Sequence, residues 1–394
     1  MSIPLREAGP NEAGRGRSPH RRGVIPALVA WWGPRPYTQL ALVLVILAGL
    51  WLLGQNIAAA LEKAGISPGF AFLTRAASFQ IGESVIPFSA GDTYLRAIGV
   101  GVINTLRVAA VGCVLAAFLG TALGVLGLMG NPLLTRLVRI YVELIRNTPL
   151  LLQLFFWIAL ARNLPGPKQA VHGGGIWLTN RGVYVPAPVV EAGWLWPLLA
   201  CAVVIIAVLA LRRFARVRRG TWPVALTLIA GIFWQAGLSF DIPALKGLNV
   251  RGGLTLSPEY AALLIALVVK FSAAIAEIVR AGILSVPEGQ REAARAMGLS
   301  DWQIMRLVVL PQALRVIVPL TTSVFLDLTK DSSLAVAIGY PDLVSVLNTT
   351  ANTTGQAIEA VLIMAGTFLM LNLCVAALMN HYNRRVAMRG EGRR

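Results

Sequence analysis

Long runs of apolar residues, separated by short polar segments, dominate the pattern of the chain. A helix that crosses a bilayer needs roughly 20 mostly apolar residues. Runs of this length begin near Tyr37, Ala97, Thr135, Trp194, Thr221, Pro258, Pro311 and Gln356. The pattern predicts an all-α polytopic membrane protein with about eight transmembrane helices.

The composition agrees with that prediction. Of the 394 residues, 56% are hydrophobic and only 13% are charged, which is well below the charged share of a soluble domain. The net charge of +17 does not indicate a nucleic-acid partner, because the arginines lie in short loops between apolar runs. We therefore expect contact with membrane lipid and none with nucleic acid.

Lysine and arginine are distributed unevenly between alternate loops, and this sets the expected orientation. One set of loops is rich in arginine and includes residues 1–36, 212–220, 280–306 and 384–394, whereas the loops between them hold few basic residues. Basic loops stay on the cytoplasmic side, so both termini are expected to be cytoplasmic. Residues 1–36 contain no apolar core of a signal peptide, and we expect basic tails at 1–36 and at 384–394.

Two segments on the opposite side alternate apolar and polar residues around glycine. The sequences GGGIWLTNRGVYVPAPVVEAG and ALKGLNVRGGLTLSPEY place Asn-Arg-Gly or Arg-Gly-Gly between the alternating stretches. This pattern is typical of β-hairpins. Irregular loops rich in glycine and proline fit it equally well.

The cytoplasmic stretch SVPEGQREAARAMGLSDWQIMRLVVLP, which starts at Ser285, is predicted to form two short capped helices. Ser285 with Glu288 and Ser300 with Gln303 have the spacing of capping boxes. Gly298 is placed to end the first helix in the left-handed conformation. Small residues between the caps would let another protein approach closely, and a docking surface fits the pattern about as well as an ordinary elbow between two spans.

Several motifs resemble one family of membrane proteins. EAARAMG, which begins at Glu292, resembles the EAA loop of the membrane subunits of bacterial ABC importers. VVLPQALRVIVP and LTKDSSL resemble the polar amino-acid permeases of the histidine/glutamine type, and NTLRVAAVGCVLAAFLGTALGVL and YVELIRNTPLLLQLFF are similar to the amino-terminal half of these permeases. The resemblance covers residues 99–161 and 260–383.

The resemblance implies the five-helix core of a type I ABC importer, in two parts at 97–161 and 258–383. Residues 37–96 add a leading span and an outer loop, and residues 162–257 insert two further spans. This layout is similar to the broad-specificity general L-amino-acid permeases of proteobacteria. Within the motifs, Asn147 replaces a usual glycine and Lys270 replaces a usual uncharged residue.

The function implied by the resemblance is that of a membrane-spanning subunit of an ATP-driven importer in the bacterial inner membrane. It would carry L-amino acids delivered by a periplasmic binding protein. It would pair with a second, different permease subunit and with an ATPase subunit that uses ATP and Mg²⁺. The resemblance assigns contact with the ATPase to Glu292, Ala293, Ala294, Arg295 and Gly298.

The sequence itself carries no signature of an enzyme. No lysine follows a glycine, as a phosphate-binding loop requires, and the three histidines are far apart. The three cysteines lie in apolar runs without metal-ligand spacing, so we expect no cofactor, metal site or disulfide. An ion-coupled secondary amino-acid transporter remains the alternative, although the internal repeats typical of that class are missing.

Polar and ionisable residues at membrane depth are the candidates for the translocation path, because they are costly unless they are paired or face water. Lys270 and Glu277 lie two helical turns apart on one face and are both expected to point inward. Lys270 could hold a substrate carboxylate or pair with a carboxylate of a neighbouring helix. Arg107, Thr148 and Gln153 complete this set, with structural pairing or helix contacts as their alternative roles.

A further charged group lies toward the outer end of the seventh span. Asp327, Lys330 and Asp331 follow one another closely enough for both carboxylates to flank the one ammonium along a helix face. We expect this network to hold an outer gate.

Overall fold

The computed structural model describes residues 36–63, 69–188 and 240–391, together with 204, 227–229 and 231. The predicted spans near Trp194 and Thr221, and the basic loop at 212–220, lie outside the described residues. The chain divides into two units, 1–68 and 69–394. In the first unit the described element is a single helix, α1 (Pro36–Lys63).

Helices make up most of the second unit. Their bounds are α2 (Tyr94–Leu126), α3 (Pro132–Asn147), α4 (Leu150–Arg162), α5 (Pro258–Leu284), α6 (Glu288–Ala296), α7 (Asp301–Ile304), α8 (Leu310–Asp331), α9 (Leu343–Thr354) and α10 (Ala357–Glu391). Short 3₁₀ turns lie at Ala71–Thr74, Pro167–Gln169 and Ser332–Ile338, and a π-helical turn at Met305–Val309 joins α7 to α8. The prediction of a mainly helical membrane protein is confirmed.

Among the described residues, five helical stretches are long and apolar enough to cross a membrane. They are Tyr37–Ala60, Tyr94–Leu126, Pro258–Leu284, Asp301–Ile338 and Ala357–His381. The count of eight spans stays a prediction, since two of the eight fall outside the described residues.

The apolar run from Thr135 is not one continuous helix, because α3 and α4 bend by 103° at a break between them. Pro149 has no N–H to donate and disfavours helical backbone at Thr148, which is extended with ψ of 125°. The 13 residues of α4 are about 20 Å long, which is less than the roughly 30 Å of a bilayer core. Only α3 and α4 together form a sixth candidate span.

Of the two alternatives left open for these loops, the structure shows the β-hairpins. The strands are β1 (Val171–Gly173), β2 (Ile176–Thr179), β3 (Gly182–Val185), β4 (Ala187–Pro188), β5 (Phe240–Asp241), β6 (Ala244–Lys246), β7 (Asn249–Arg251) and β8 (Leu254–Leu256). An antiparallel sheet has the order β1-β2-β3-β8, while β4 pairs with β5 and β6 with β7. Gly174 and Gly175 turn β1 into β2 with φ of 58° and 80°, angles that favour glycine. Because β8 leads directly into α5, this sheet lies at the N-terminal end of α5.

Helix α5 is the centre of the second unit and packs on α2, α3, α4 and α8. Gly120 and Gly124 let α2 approach it closely. A Cβ atom at Gly120 would lie 2.7 Å from the carbonyl oxygen of Ser272, and one at Gly124 would lie 2.8 Å from that of Ala276. Small residues four positions apart permit such contact between membrane helices, so α2 and α5 form a tight parallel pair.

Residues 69–93 pack over the N-terminal ends of α2, α9 and α10. Phe72 and Ala77 are buried beside Leu343 of α9, and the Gly69 N–H donates to Glu359 Oε1 of α10 at 2.9 Å. The sequence pattern did not predict α9. This 12-residue helix is too short to span a bilayer and was read as part of a loop.

Candidate functional site

The capping box predicted at the start of α6 is wrong. Ser285 still belongs to the end of α5, with helical backbone angles and a hydroxyl that donates to the Gly282 carbonyl at 2.8 Å. An N-cap residue needs extended backbone. Pro287 has that conformation, so α6 begins at Glu288 without a side-chain cap.

The other two capping predictions are confirmed. Gly298 adopts a φ of 77°, and the Ser300 N–H donates to Gln303 Oε1 at 2.9 Å in the capping box of α7. The second short helix is not separate, however, because 301–338 is one continuous helical stretch. The expected helix pair is therefore α6 followed by the first turn of a long span.

Helix α6 presents much of its surface outward at the C-terminal end of α5. Glu292, Ala293 and Arg295 are exposed. Ala294 is only 7% exposed and packs into the hydrophobic core. Of the small residues expected on a docking surface, Ala293 reaches the surface and Ala294 anchors the helix.

Two large apolar side chains lie exposed next to α6. Met297 is 82% exposed and Trp302 is 71% exposed. Exposed aromatic residues and methionines are frequent anchors of protein contacts. The sequence pattern was not used to predict Trp302 as a contact residue. A tryptophan that closely follows the Gly298 turn and the Ser300 cap could have indicated an exposed contact residue.

Lys270, Thr148 and Gln153 meet at the break between α3 and α4. Lys270 Nζ donates to the carbonyls of Arg146 at 3.1 Å and of Thr148 at 3.2 Å. Gln153 Nε2 donates to the carbonyls of Ile145 and Thr148, both at 3.2 Å. The last carbonyls of a helix lack intrahelical partners and attract positive charge. These side chains therefore stabilise the C-terminal end of α3.

The spacing of Lys270 and Glu277 predicted one shared environment for both side chains. In the structure their hydrogen-bond partners differ. Glu277 forms a bidentate ion pair with Arg280, with oxygen-to-nitrogen distances of 2.6 and 3.2 Å. The Lys270 ammonium donates to backbone carbonyls, which were not expected, and it also interacts electrostatically with the Asp331 carboxylate of α8, in line with its alternative role. Carbonyls at a broken helix cannot be recognised from residue spacing, because the break itself was not predicted.

A cavity of about 750 Å³ lies between the C-terminal end of α2, α3 and the second half of α5. Its charged lining residues are Arg139, Glu143, Arg146, Glu277 and Arg280. This volume falls within the roughly 300–1,000 Å³ of small-molecule sites. Of the path candidates named from the sequence, Glu277 is the one that lines it.

Helix α3 has three distinct faces around this cavity. The face packed on α5 carries Val138, Tyr141, Val142 and Ile145. An exposed apolar face carries Leu133, Leu137, Ile140 and Leu144. The third face bears the charged residues of the cavity, which are exposed. The spacing of Arg139, Glu143 and Arg146 could have revealed this face, but the apolar pattern predicted only a span that begins near Thr135.

Arg107 lies toward the opposite end of α2, in a closed network. Its guanidinium donates to Glu83 Oε1 at 2.8 Å and lies 4.2 Å from the centre of the Tyr260 ring. The second Glu83 oxygen accepts from the Ser257 hydroxyl. The geometry matches the structural pairing considered for Arg107 and places it away from the cavity.

Asp342 lies next to this network as the N-cap of α9. It is 1% exposed, and its Oδ1 accepts from the Ser345 N–H at 2.8 Å. The Asn104 side chain donates to the carbonyls of Glu83 at 2.8 Å and of Pro341 at 2.9 Å. Burial raises the pKa of Asp342 to about 7.

The group at the end of α8 is looser than predicted. Lys330 Nζ lies 4.0 Å from Asp327 Oδ1, and both side chains are more than half exposed. Within the described chain, Asp331 forms no salt bridge with Lys330. Side chains one position apart on a helix point in different directions. The predicted pairing is therefore observed for Asp327, whereas Asp331 interacts with the ammonium only at longer range.

Comparison with known proteins defines the class. Residues 112–388 match the family described as the binding-protein-dependent transport system inner membrane component. This is more than half of the chain, and the chain belongs to that family.

Individual relatives are similar over nearly their full length. The putative amino-acid ABC transporter permease protein YhdX of Escherichia coli K12 is 44% identical, with 94% of this chain and 99% of the relative covered. The general L-amino acid transport system permease protein AapQ of Rhizobium johnstonii is 39% identical, with 89% and 92% covered. The glutamate/glutamine/aspartate/asparagine transport system permease protein BztB of Rhodobacter capsulatus is 40% identical, with 89% and 93% covered. These relatives give no support to the ion-coupled alternative.

Proposed function

We propose that this chain is the membrane-spanning subunit of an ATP-driven importer that carries L-amino acids across the bacterial inner membrane, with both termini in the cytoplasm. The observation that carries the proposal is the position of the cavity beside the exposed helix α6. Both are built on the same half of α5, where Glu277 and Arg280 line the cavity and α6 follows Leu284. A force applied to α6 can therefore reach the wall of the path directly.

The contacts that join α6 to α5 support this coupling. Arg291 Nη2 donates to the Ile283 carbonyl at 2.8 Å, and Ala294 of α6 is buried in the hydrophobic core. The exposed Glu292, Ala293 and the Gly298 turn then form the contact for a separate ATPase subunit, which binds ATP and Mg²⁺. The catalysis belongs to that partner, and this chain is a transport subunit without an enzymatic reaction of its own.

The remaining partners follow from the same assignment. A periplasmic amino-acid-binding protein delivers substrate at the hairpin end of α5, where Asp327, Lys330 and Asp331 contribute to an outer gate. A second, different permease subunit covers the open side of the cavity, and Lys270, Thr148 and Gln153 keep the bend that shapes the path. The amino-acid names of the full-length relatives support the substrate class.

The test is a surface substitution that spares the fold. Ala293→Glu adds bulk and charge to an exposed position of α6, so it should abolish association with the ATPase subunit, substrate-stimulated ATP hydrolysis and uptake in proteoliposomes. Ala71→Glu, at an exposed alanine near the N-terminal end of α2, is the matched control and should leave all three unchanged. ATP-dependent uptake at the normal rate by Ala293→Glu would contradict the coupling surface. Uptake that needs an ion gradient and no ATP would overturn the proposed function.

A further inference from the structure

The helical stretch 301–338 contains one irregular turn. Met305–Val309 is a π-helical turn, in which the Leu310 N–H donates to the Met305 carbonyl, five residues earlier, instead of to the carbonyl four residues earlier. Single π turns within α-helices are rare and often lie at functional sites. This one joins α7, which follows the exposed helix α6, to the long span α8.

Two residues directly after the turn favour its shape. Pro311 has no N–H for the Leu307 carbonyl, and in a regular α-helix its ring would clash with that carbonyl. A wider turn before Pro311 relieves this clash. The Gln312 side chain donates to the Val308 carbonyl at 3.0 Å, which adds a hydrogen bond beside the proline. The local sequence therefore specifies where the π turn lies.

The π turn decides which side chain of α7 reaches the hydrophobic core. Ile304, Val309 and Ala313 are buried in one cluster, with exposed fractions of 4%, 1% and 0%. Val309 and Ala313 are four positions apart and share a face, whereas residues five apart on an α-helix diverge by about 140°. The extra residue in the π turn brings Ile304 back to the face of Val309.

A regular α-helical turn would bury a different apolar residue. Met305 lies four positions before Val309, so it would take the core face while Ile304 turned away. Met305 is 36% exposed in the observed turn, and a methionine side chain adapts readily to an irregular core. The Leu310 N–H would donate to the Arg306 carbonyl, so it has a partner in both arrangements. The sequence thus offers two discrete packings, each with an apolar residue in the core.

The two sides of the turn are held differently. Beyond it, α8 is fixed on α5, because Gly282 leaves no room for a Cβ atom beside Ile317. Before it, Trp302 is 71% exposed. Removal of one residue from the turn rotates one side against the other by about 100°. Such a rotation would move α7 and leave α8 packed on α5.

We propose that Met305–Val309 is a two-state joint. Pro311 favours the π turn with Ile304 in the core, and the nucleotide-bound ATPase subunit favours the α turn with Met305 in the core. This inference rests on the proposed function and deepens it, because it specifies how the segment that contacts the ATPase changes its orientation against the span. Two packings that differ by one residue give a discrete response, as packed interfaces do.

Cysteine accessibility distinguishes the two states. Cys113, Cys201 and Cys374 are replaced by alanine, and Ile304→Cys or Met305→Cys is introduced into the complete transporter with its ATPase subunit. Without nucleotide, a maleimide should alkylate the Met305→Cys chain about tenfold faster than the Ile304→Cys chain, in line with the 36% and 4% exposure of these positions. With ATP and orthovanadate, which hold the ATPase closed, the order of the two rates should reverse.

Pro311→Ala permits a regular helix, so in the Met305→Cys chain it should slow alkylation without any nucleotide. Pro319→Ala, at a proline inside α8, is the matched control and should leave the rates unchanged. The same order of rates with and without ATP and orthovanadate, while both cysteine variants still take up amino acids with ATP, would overturn the joint and leave the proposed function standing. Absence of ATP-dependent uptake by the natural transporter would contradict the proposed function itself.

Discussion

Two groups of charges lie along the paired helices α2 and α5, and they are built in opposite ways. Toward the N-terminal ends, Arg107, Glu83 and Ser257 form a closed network in which Arg107 and Glu83 are 22% and 16% exposed. Toward the C-terminal ends, Arg139, Glu143 and Arg146 face a cavity of about 750 Å³. The first group forms close ion pairs within the chain, while the second is exposed and interacts with Glu277 only at longer range.

This difference separates stability from function. A buried ion pair that loses one partner leaves an uncompensated charge, so the closed network should be sensitive to any single substitution. Exposed charges around an open cavity contribute little to folding, so their substitution should change binding and leave stability intact.

Arg107→Met gives the largest expected loss of stability. It leaves the Glu83 carboxylate without its cation, and because the pair is half-buried the cost should lie near the lower end of the range for buried pairs, about 3 kcal/mol. Thermal unfolding of the detergent-solubilised protein, followed by tryptophan fluorescence, measures the loss. The double variant Arg107→Met, Glu83→Gln should recover part of it. If the single variant were as stable as the double variant, the Glu83 carboxylate would not depend on Arg107 for its stability.

Asp342→Asn tests the buried group next to this network through pH. The pKa of Asp342 is about 7 in the folded chain against 3.8 in the reference state, so the folded state keeps a proton that the unfolded chain releases. The free energy of unfolding should therefore decrease by a few kcal/mol as pH rises from about 4 to about 7, and change little above that.

Asn keeps an oxygen that can accept from the Ser345 N–H but does not titrate. Asp342→Asn should remove the Asp342 component of this decline when melting temperatures are compared between pH 5 and pH 8. An identical slope in both proteins would show that Asp342 is ionised across the whole range.

Lys270→Met should have an intermediate effect and decides between two roles. The ammonium donates to the carbonyls of Arg146 and Thr148, and loss of hydrogen bonds from a charged donor costs about 1.5–3 kcal/mol. Lys270→Arg keeps a cation there and should lose less. Natural melting behaviour of Lys270→Met, combined with weaker amino-acid binding, would instead make Lys270 a ligand of the substrate.

Hydrophobic periodicity predicted the helices that cross the membrane and failed at their interruptions. The runs from Tyr37, Ala97 and Pro258 match observed helices, because apolar length alone decides whether a helix can span. The bend at Thr148 and Pro149 and the helix α9 were missed. A single proline in an apolar run does not reveal whether the helix kinks slightly or turns by 103°.

The candidate site was predicted in part. The stretch after α5 was recognised by motif, and Gly298 and Ser300 adopt the local conformations that their residue types favour. Ser285 was assigned to the wrong helix, since its hydroxyl has the same chemistry at the end of α5 as at the start of α6. The charged face of α3 was overlooked. Its charges are close together in the sequence, but the cavity that they line is completed by α5, which is distant in the sequence.

By itself, the sequence determined that this is a polytopic membrane protein and that a capped segment follows the central span, because hydropathy and caps act over a few neighbouring positions. It left β-hairpins and irregular loops open as alternatives, and the structure shows the hairpins. The tertiary structure decided which charges are satisfied. Arg107 and Arg146 are both arginines on predicted spans, and only the positions of Glu83, α5 and the bend after α3 show that one is bound within the fold and the other faces a cavity. The energy of a charge in a membrane protein depends on what surrounds it in space, and that is set by packing between distant segments.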